Sequence, residues 1–126
     1  MRFGDVVFVN FPFTDPSFAK RRPAVVLAEV RFGPEHDLVP VMVTKNSELM
    51  SPYDVRLEST HSDFAATGLK YPSVIRVHRL VTLAEAMVIK AMGQLGLTHR
   101  KALAAALSRL LPVHGLEGQA VDPGTD

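Results

Sequence analysis

The sequence predicts a small, mainly β protein with some α: an antiparallel barrel closed by one C-terminal helix. Short runs rich in Val, Ile and Phe recur from Asp5 to Leu95, and turn-forming Pro, Gly and Asn separate them. A single later stretch, Thr98 to Leu111, carries its apolar residues three and four apart, the spacing of a helix that buries one stripe. Finally, 126 residues make one domain, large enough for a real core and too small for two.

Taken in order, Asp5 to Phe11 is rich in Val and Phe and alternates only weakly, as a buried strand does. Gly4 before it serves a turn or a close backbone approach, and Asp5 is expected to bond neighbouring backbone N–H groups. The segment Phe11-Pro12-Phe13-Thr14-Asp15-Pro16 must be a stiff loop, because neither proline has the N–H that a ladder needs. Arg22 to Val30 is the second strand, with Pro23 at its start, where a missing donor is tolerated. Gly33-Pro34 turns the chain, and Leu38 to Thr44 is the third strand, marked by Pro40 as an edge or a bulge. Tyr53 to Glu58 alternates sharply, with one face wet.

Leu69 to His78 reads as two short strands or one broken at Pro72. Within it Ser73, Ile75 and Val77 share one face, and Val74, Arg76 and His78 the other. Leu83 to Leu95 has helical propensity interrupted by Gly93. The helix Thr98 to Leu111 is expected to be capped by Thr98 and stopped by Pro112, with Ala102, Leu103, Ala106, Leu107, Leu110 and Leu111 as its stripe. Residues 1–112 thus form the domain, and 113–126, with three glycines and a proline, a flexible tail.

Composition narrows the function classes. With no cysteine there is no disulfide, thiol nucleophile or thiolate metal site. His36, His61, His78, His99 and His114 lack ligand spacing, so no metal and no cofactor are expected. No apolar run reaches the ~18 residues of a membrane span, and the basic-then-apolar order of a signal peptide is missing. A cytoplasmic protein is expected. The net charge is only +1, but all 14 Lys and Arg precede Pro112, against 10 acids there, a surplus of four. A mildly basic body suits a short single strand better than a duplex.

Gly4-Asp5-Val6-Val7, the Phe11-Pro12-Phe13-Thr14-Asp15 loop, Arg21-Arg22-Pro23-Ala24-Val25-Val26-Leu27 and Val41-Met42-Val43-Thr44 together resemble the MazF/PemK family of toxins from toxin–antitoxin modules. The resemblance spans roughly Gly4 to Leu110. It implies an SH3-like barrel with a C-terminal helix, a homodimer, and a helical turn followed by a strand over Val88 to Leu95. It also implies an endoribonuclease that cuts single-stranded RNA without a metal, and a cognate antitoxin that blocks the groove.

Such cleavage needs a group to take the 2′-hydroxyl proton, one to stabilise charge on the phosphorane oxygens, and one to protonate the leaving 5′-oxygen. A guanidinium fits the second task, since its planar fork pairs two phosphate oxygens. In the resemblance Arg22 holds the place of the family's catalytic arginine and Thr44 that of its catalytic threonine. Apart from it, Arg22 would be a surface charge and Thr44 a good β-former.

Lys20, Arg21 and Lys45 add charge nearby, Phe13 offers a ring for stacking on a base, and Arg76 and His78 share a strand face; all six are candidates for holding RNA. Relatives of the PemK type carry an aspartate where this chain has His78, which either shuttles protons or stands by. Asp15 is a base or a local cap. The family's Gly-Ser-Glu-Gln type loop is replaced by Pro16-Ser17-Phe18-Ala19, so no glutamate role carries over. Two alternatives stand beside the nuclease: a non-catalytic barrel toxin that inhibits DNA gyrase by protein binding, and an inactive relative that binds RNA or antitoxin.

Overall fold

A computed structural model of the chain describes residues 1–11, 20–45 and 50–113. Seven strands form one antiparallel sheet: β1 (Asp5–Phe11), β2 (Lys20–Phe32), β3 (Glu35–Lys45), β4 (Val55–Leu57), β5 (Ser73–Leu80), β6 (Leu83–Ala84) and β7 (Val88–Gln94). The helix α1 spans Leu97–Leu110. Along the sheet the order is β4-β5-β3-β2-β1-β7, and β6 pairs with β3 off this path. The sheet curls into a half-barrel rather than closing, so the expected mainly β architecture with one terminal helix is what the chain adopts.

The weak alternation of β1 has a physical cause. Val6 and Val7 are both fully buried, because apolar clusters cover both faces of the central strands. The larger cluster joins Val6, Val25, Val41, Ile75 and Val77 to Leu103 and Ala106 of α1. The smaller joins Val7, Val9, Ala24 and Val26 to Leu38 and Leu83. A strand covered on both faces reads as a continuous apolar run.

Several elements differ from expectation. β2 and β3 run past the predicted ends because they meet in a hairpin, with Phe32 opposite Glu35 across Gly33-Pro34. Its polar end, Glu35 to Asp37, carries no apolar alternation to announce it, and only cross-strand pairing makes it β. Leu69 to Tyr71 is not a strand, and β5 begins at Ser73, just beyond Pro72. β4 keeps only Val55–Leu57. The ambiguous segment resolves into β6, a 3-10 turn at Glu85–Met87, and β7.

α1 starts one residue before Thr98, and its N-cap is Gly96. The Asp63 carboxylate packs against Gly96 so closely that a methyl there would lie 2.2 Å from Oδ2. An acid at this end faces the positive pole of the helix. Leu103 and Ala106 are buried as predicted, whereas Leu111 falls outside the helix and is half exposed. His99 heads the buried stripe, its ring centroid 4.5 Å from that of His61. Burial, and the charge His61 would carry, hold its pKa below the ordinary histidine value, against a smaller opposing pull from Asp63.

Gly4 and Asp5 fix the start of β1. Gly4 takes φ +93°, accepts from Leu95 N at 2.8 Å and donates to Val26 O at 2.9 Å, so one residue ties three parts of the sheet. Asp5 accepts from Arg2 N at 2.8 Å, the local role expected of it. Among the described residues no helix is long and apolar enough to cross a membrane.

Candidate functional site

The pairing of β2 with β3 ends at Ala24 and Met42. The same register carried onward would set Pro23 against Val43 and Arg22 against Thr44, but Pro23 has no N–H to extend the ladder. Beyond that point β2 stays with β1, Val9 opposite Arg22 and Phe11 opposite Lys20. β3 stays with β5, Thr44 opposite Val74 and Lys45 opposite Ser73. The two strand ends therefore part.

A cleft of about 740 Å³ lies at this seam. β2 contributes Arg21, Arg22 and Pro23, and β3 contributes Val43, Thr44 and Lys45. One flank is the Leu69-Lys70-Tyr71 segment with Ser73, and the other is Phe8 of β1 with Lys90 and Met92 of β7. Five of these residues are Lys or Arg and none is Asp or Glu. Clustered cations without counter-charges raise a positive potential, which a low-dielectric wall focuses.

Two of the lysines sit against rings. Lys45 Nζ stands 4.6 Å from the Tyr71 centroid, and Lys90 Nζ stands 5.8 Å from that of Phe8. Tyr71 is 55% exposed, so most of its ring remains open to the cleft or to solvent. Deeper in, Arg22 Nε and Thr44 Oγ1 are shielded from water and have no hydrogen-bond partner among the described residues. A buried polar atom left unpaired costs about 1–3 kcal/mol, so two from facing strands in one cleft require explanation. Both residues line the cleft, and each brings a donor that no described residue engages.

The structure brings together Arg21, Arg22, Thr44 and Lys45 of the residues singled out in the sequence. Arg76 and His78 are not in the cleft lining. Both approach Asp54, whose side chain has no exposed surface: Arg76 Nη1 donates to Oδ2, and His78 Nδ1 lies 3.9 Å from Oδ1. Asp54 also accepts from Ser51 N at 2.8 Å and Ser51 Oγ at 3.0 Å. Lys20 is described only as the backbone of β2 opposite Phe11. Phe13, Asp15, Phe18 and the residues after Val113, expected to form a flexible tail, lie outside the described residues.

Sequence reasoning missed Lys70, Tyr71, Lys90 and Phe8. Lys70 and Tyr71 were hidden by assigning them to a strand. Lys90 and Phe8 belong to paired strands, where Lys90 lies directly opposite Phe8, but only the β1–β7 register reveals it. Among the described residues no group of three or more His, Asp or Glu could hold a metal ion.

Comparison with known proteins gives one family and a set of similar folds. Residues 2–111 match the model of the PemK-like, MazF-like toxins of type II toxin–antitoxin systems. The sequence matches no curated protein. A solved mycobacterial endoribonuclease in complex with its cognate antitoxin superposes with a TM-score of 0.65 at 16% identity, covering 90% of this chain and 96% of that one. The Mycobacterium tuberculosis toxin MazF-mt6 gives 0.62 at 19% identity, covering 83% and 93%. A further mycobacterial endoribonuclease gives 0.63 at 14% identity, covering 89% and 91%. At such identities the superpositions speak for the fold, and the family match, which extends over most of the sequence, speaks for descent. The chain belongs to the PemK-like, MazF-like toxins of type II toxin–antitoxin systems.

Proposed function

We propose that this toxin is an endoribonuclease that cuts single-stranded RNA by internal attack, needing no metal, and that Arg22 and Thr44 form its reaction centre. The ribose 2′-oxygen bonds to the adjacent phosphorus, the P–O5′ bond breaks, and a 2′,3′-cyclic phosphate and a 5′-hydroxyl result. The 2′-hydroxyl proton leaves to a base, and O5′ takes up a proton. Charge that builds on the non-bridging oxygens meets the planar guanidinium of Arg22, positioned by its strand. Thr44 Oγ donates to the same phosphate and holds it in line.

One observation carries this reading: among the described residues, Arg22 Nε and Thr44 Oγ1 are both buried and without a hydrogen-bond partner in one cleft lined by five cations and no acid. Arg21, Lys45, Lys70 and Lys90 at its margins would hold the flanking phosphates, with a correspondingly steep salt dependence. The cognate partner is an antitoxin whose acidic or apolar segment competes for this cleft. One similar structure was solved with its antitoxin bound, in keeping with such a partner.

The test is incubation of purified protein with a mixed RNA in EDTA, alongside Arg22→Ala. The proposal expects 5′-hydroxyl fragments from the unaltered chain and a loss of about 10²–10³ in rate for the variant, the usual cost of removing one oxyanion donor. No cleavage, or equal cleavage by both, would remove this reading and leave a toxin that acts by protein binding or an inactive relative that binds RNA or antitoxin.

A further inference from the structure

We infer that Tyr71, backed by Lys45, is a base-stacking platform for the nucleotide beside the phosphate held by Arg22 and Thr44. The inference rests on the ribonuclease reading and adds a substrate-binding residue to it. Thr44 and Lys45 are consecutive, and their partners across the sheet are Val74 and Ser73, so the chain between Leu69 and Ser73 forms the wall adjoining Thr44. Tyr71 is the aromatic residue of that wall, 55% exposed where most large apolar side chains here are buried. Lys45 Nζ, 4.6 Å from its centroid, occupies one aspect of the ring.

An ammonium over a π-face is attracted by the ring quadrupole and fixes the ring's pose. Tyr71 is 55% exposed, which leaves room for a planar base, while Lys70 beside it takes a backbone phosphate. Phe8 and Lys90 form a similar pair on the opposite flank, but at 5.8 Å and with Phe8 half-buried between its strand neighbours. Tyr71 is therefore the ring with room for a ligand. Structural packing does not account for it, since a packing tyrosine would not leave over half of its surface to water.

The probes are fluorescein-labelled octamers of 2′-fluoro oligoadenylate and oligouridylate, which lack the attacking hydroxyl, and inorganic polyphosphate, which has charge without bases. Anisotropy of the unaltered chain measures octamer binding, and competition measures polyphosphate. For Tyr71→Ala we expect octamer affinity to fall by about 5- to 150-fold, the range for loss of one stacked base, with polyphosphate competition and the salt slope unchanged. Tyr71→Phe, which keeps the ring, should stay within about twofold, and Lys70→Ala should lower both ligands and flatten the salt slope by about one. Octamer binding by Tyr71→Ala equal to that of the unaltered chain, or an equal fall for polyphosphate, overturns the platform. In that event cleavage of mixed RNA by the unaltered chain still upholds the ribonuclease reading, whereas absence of both cleavage and octamer binding removes the two together.

Discussion

Replacing Asp54 should unfold this protein more readily than almost any other polar substitution. Its side chain has no exposed surface, and it accepts from Ser51 N, Ser51 Oγ and Arg76 Nη1. Arg76 is itself only 16% exposed, so with Ala at position 54 its charge meets little water. Removing one member of a buried ion pair costs about 3–5 kcal/mol. Arg76 has interactions beyond Asp54, which places the expected loss at the lower end, about 3 kcal/mol.

For a chain of this size that corresponds to a fall in Tm of about 10 °C. Urea unfolding followed by far-UV circular dichroism would show it as a lower midpoint with an unchanged slope. Asp54→Asn retains an acceptor for Ser51 N and should lose roughly half as much. The double replacement Asp54→Ala with Arg76→Met removes the half-buried charge as well and should recover part of the loss. A change below about 1 kcal/mol in Asp54→Ala would refute the view that this carboxylate anchors the approach to β4.

Arg22→Lys keeps a cation but loses the planar fork, so cleavage of RNA should recover only a small part of what Arg22→Ala loses, read as initial rates at saturating substrate. Burial lowers the pKa of His99 in the fold, so below its unfolded value of about 6.5 the unfolded chain binds the extra proton and stability declines as pH falls. Urea midpoints at pH 7.5 and pH 5.0 should differ more for the unaltered chain than for His99→Phe. Leu103 of α1 is fully buried in the larger cluster, and Leu103→Ala should cost about 2–5 kcal/mol by the same unfolding measurement.

Much of the fold was legible in the sequence because its signals were local. The Val- and Phe-rich run from Asp5 marked the first strand, Gly33-Pro34 turned the hairpin, and the stripe through Leu103 and Ala106 marked the helix. Strand ends that only pairing creates, such as Glu35 to Asp37, gave no such signal. The helix cap failed for a related reason: Asp63, distant in sequence, packs on Gly96, and Thr98 had seemed the better local choice.

At the site, Arg22 and Thr44 could be named only through the family resemblance, with Arg21 and Lys45 as the charges beside them, and all four line one cleft. Lys70, Tyr71 and Lys90 come from segments whose proximity depends on tertiary register. The grouping of Arg76 with His78 on one strand face was legible. Their turn towards Asp54 was not, because it depends on where the chain after Ser51 returns to β5.

Where β2 and β3 separate, each end is gripped by its other neighbour, β1 on one side and β5 on the other. The pair at Ala24 and Met42 then acts as the crotch of a fork with two independently braced tines. Arg22 and Thr44 therefore stand on separately braced strand ends, each held by a ladder that the other does not share.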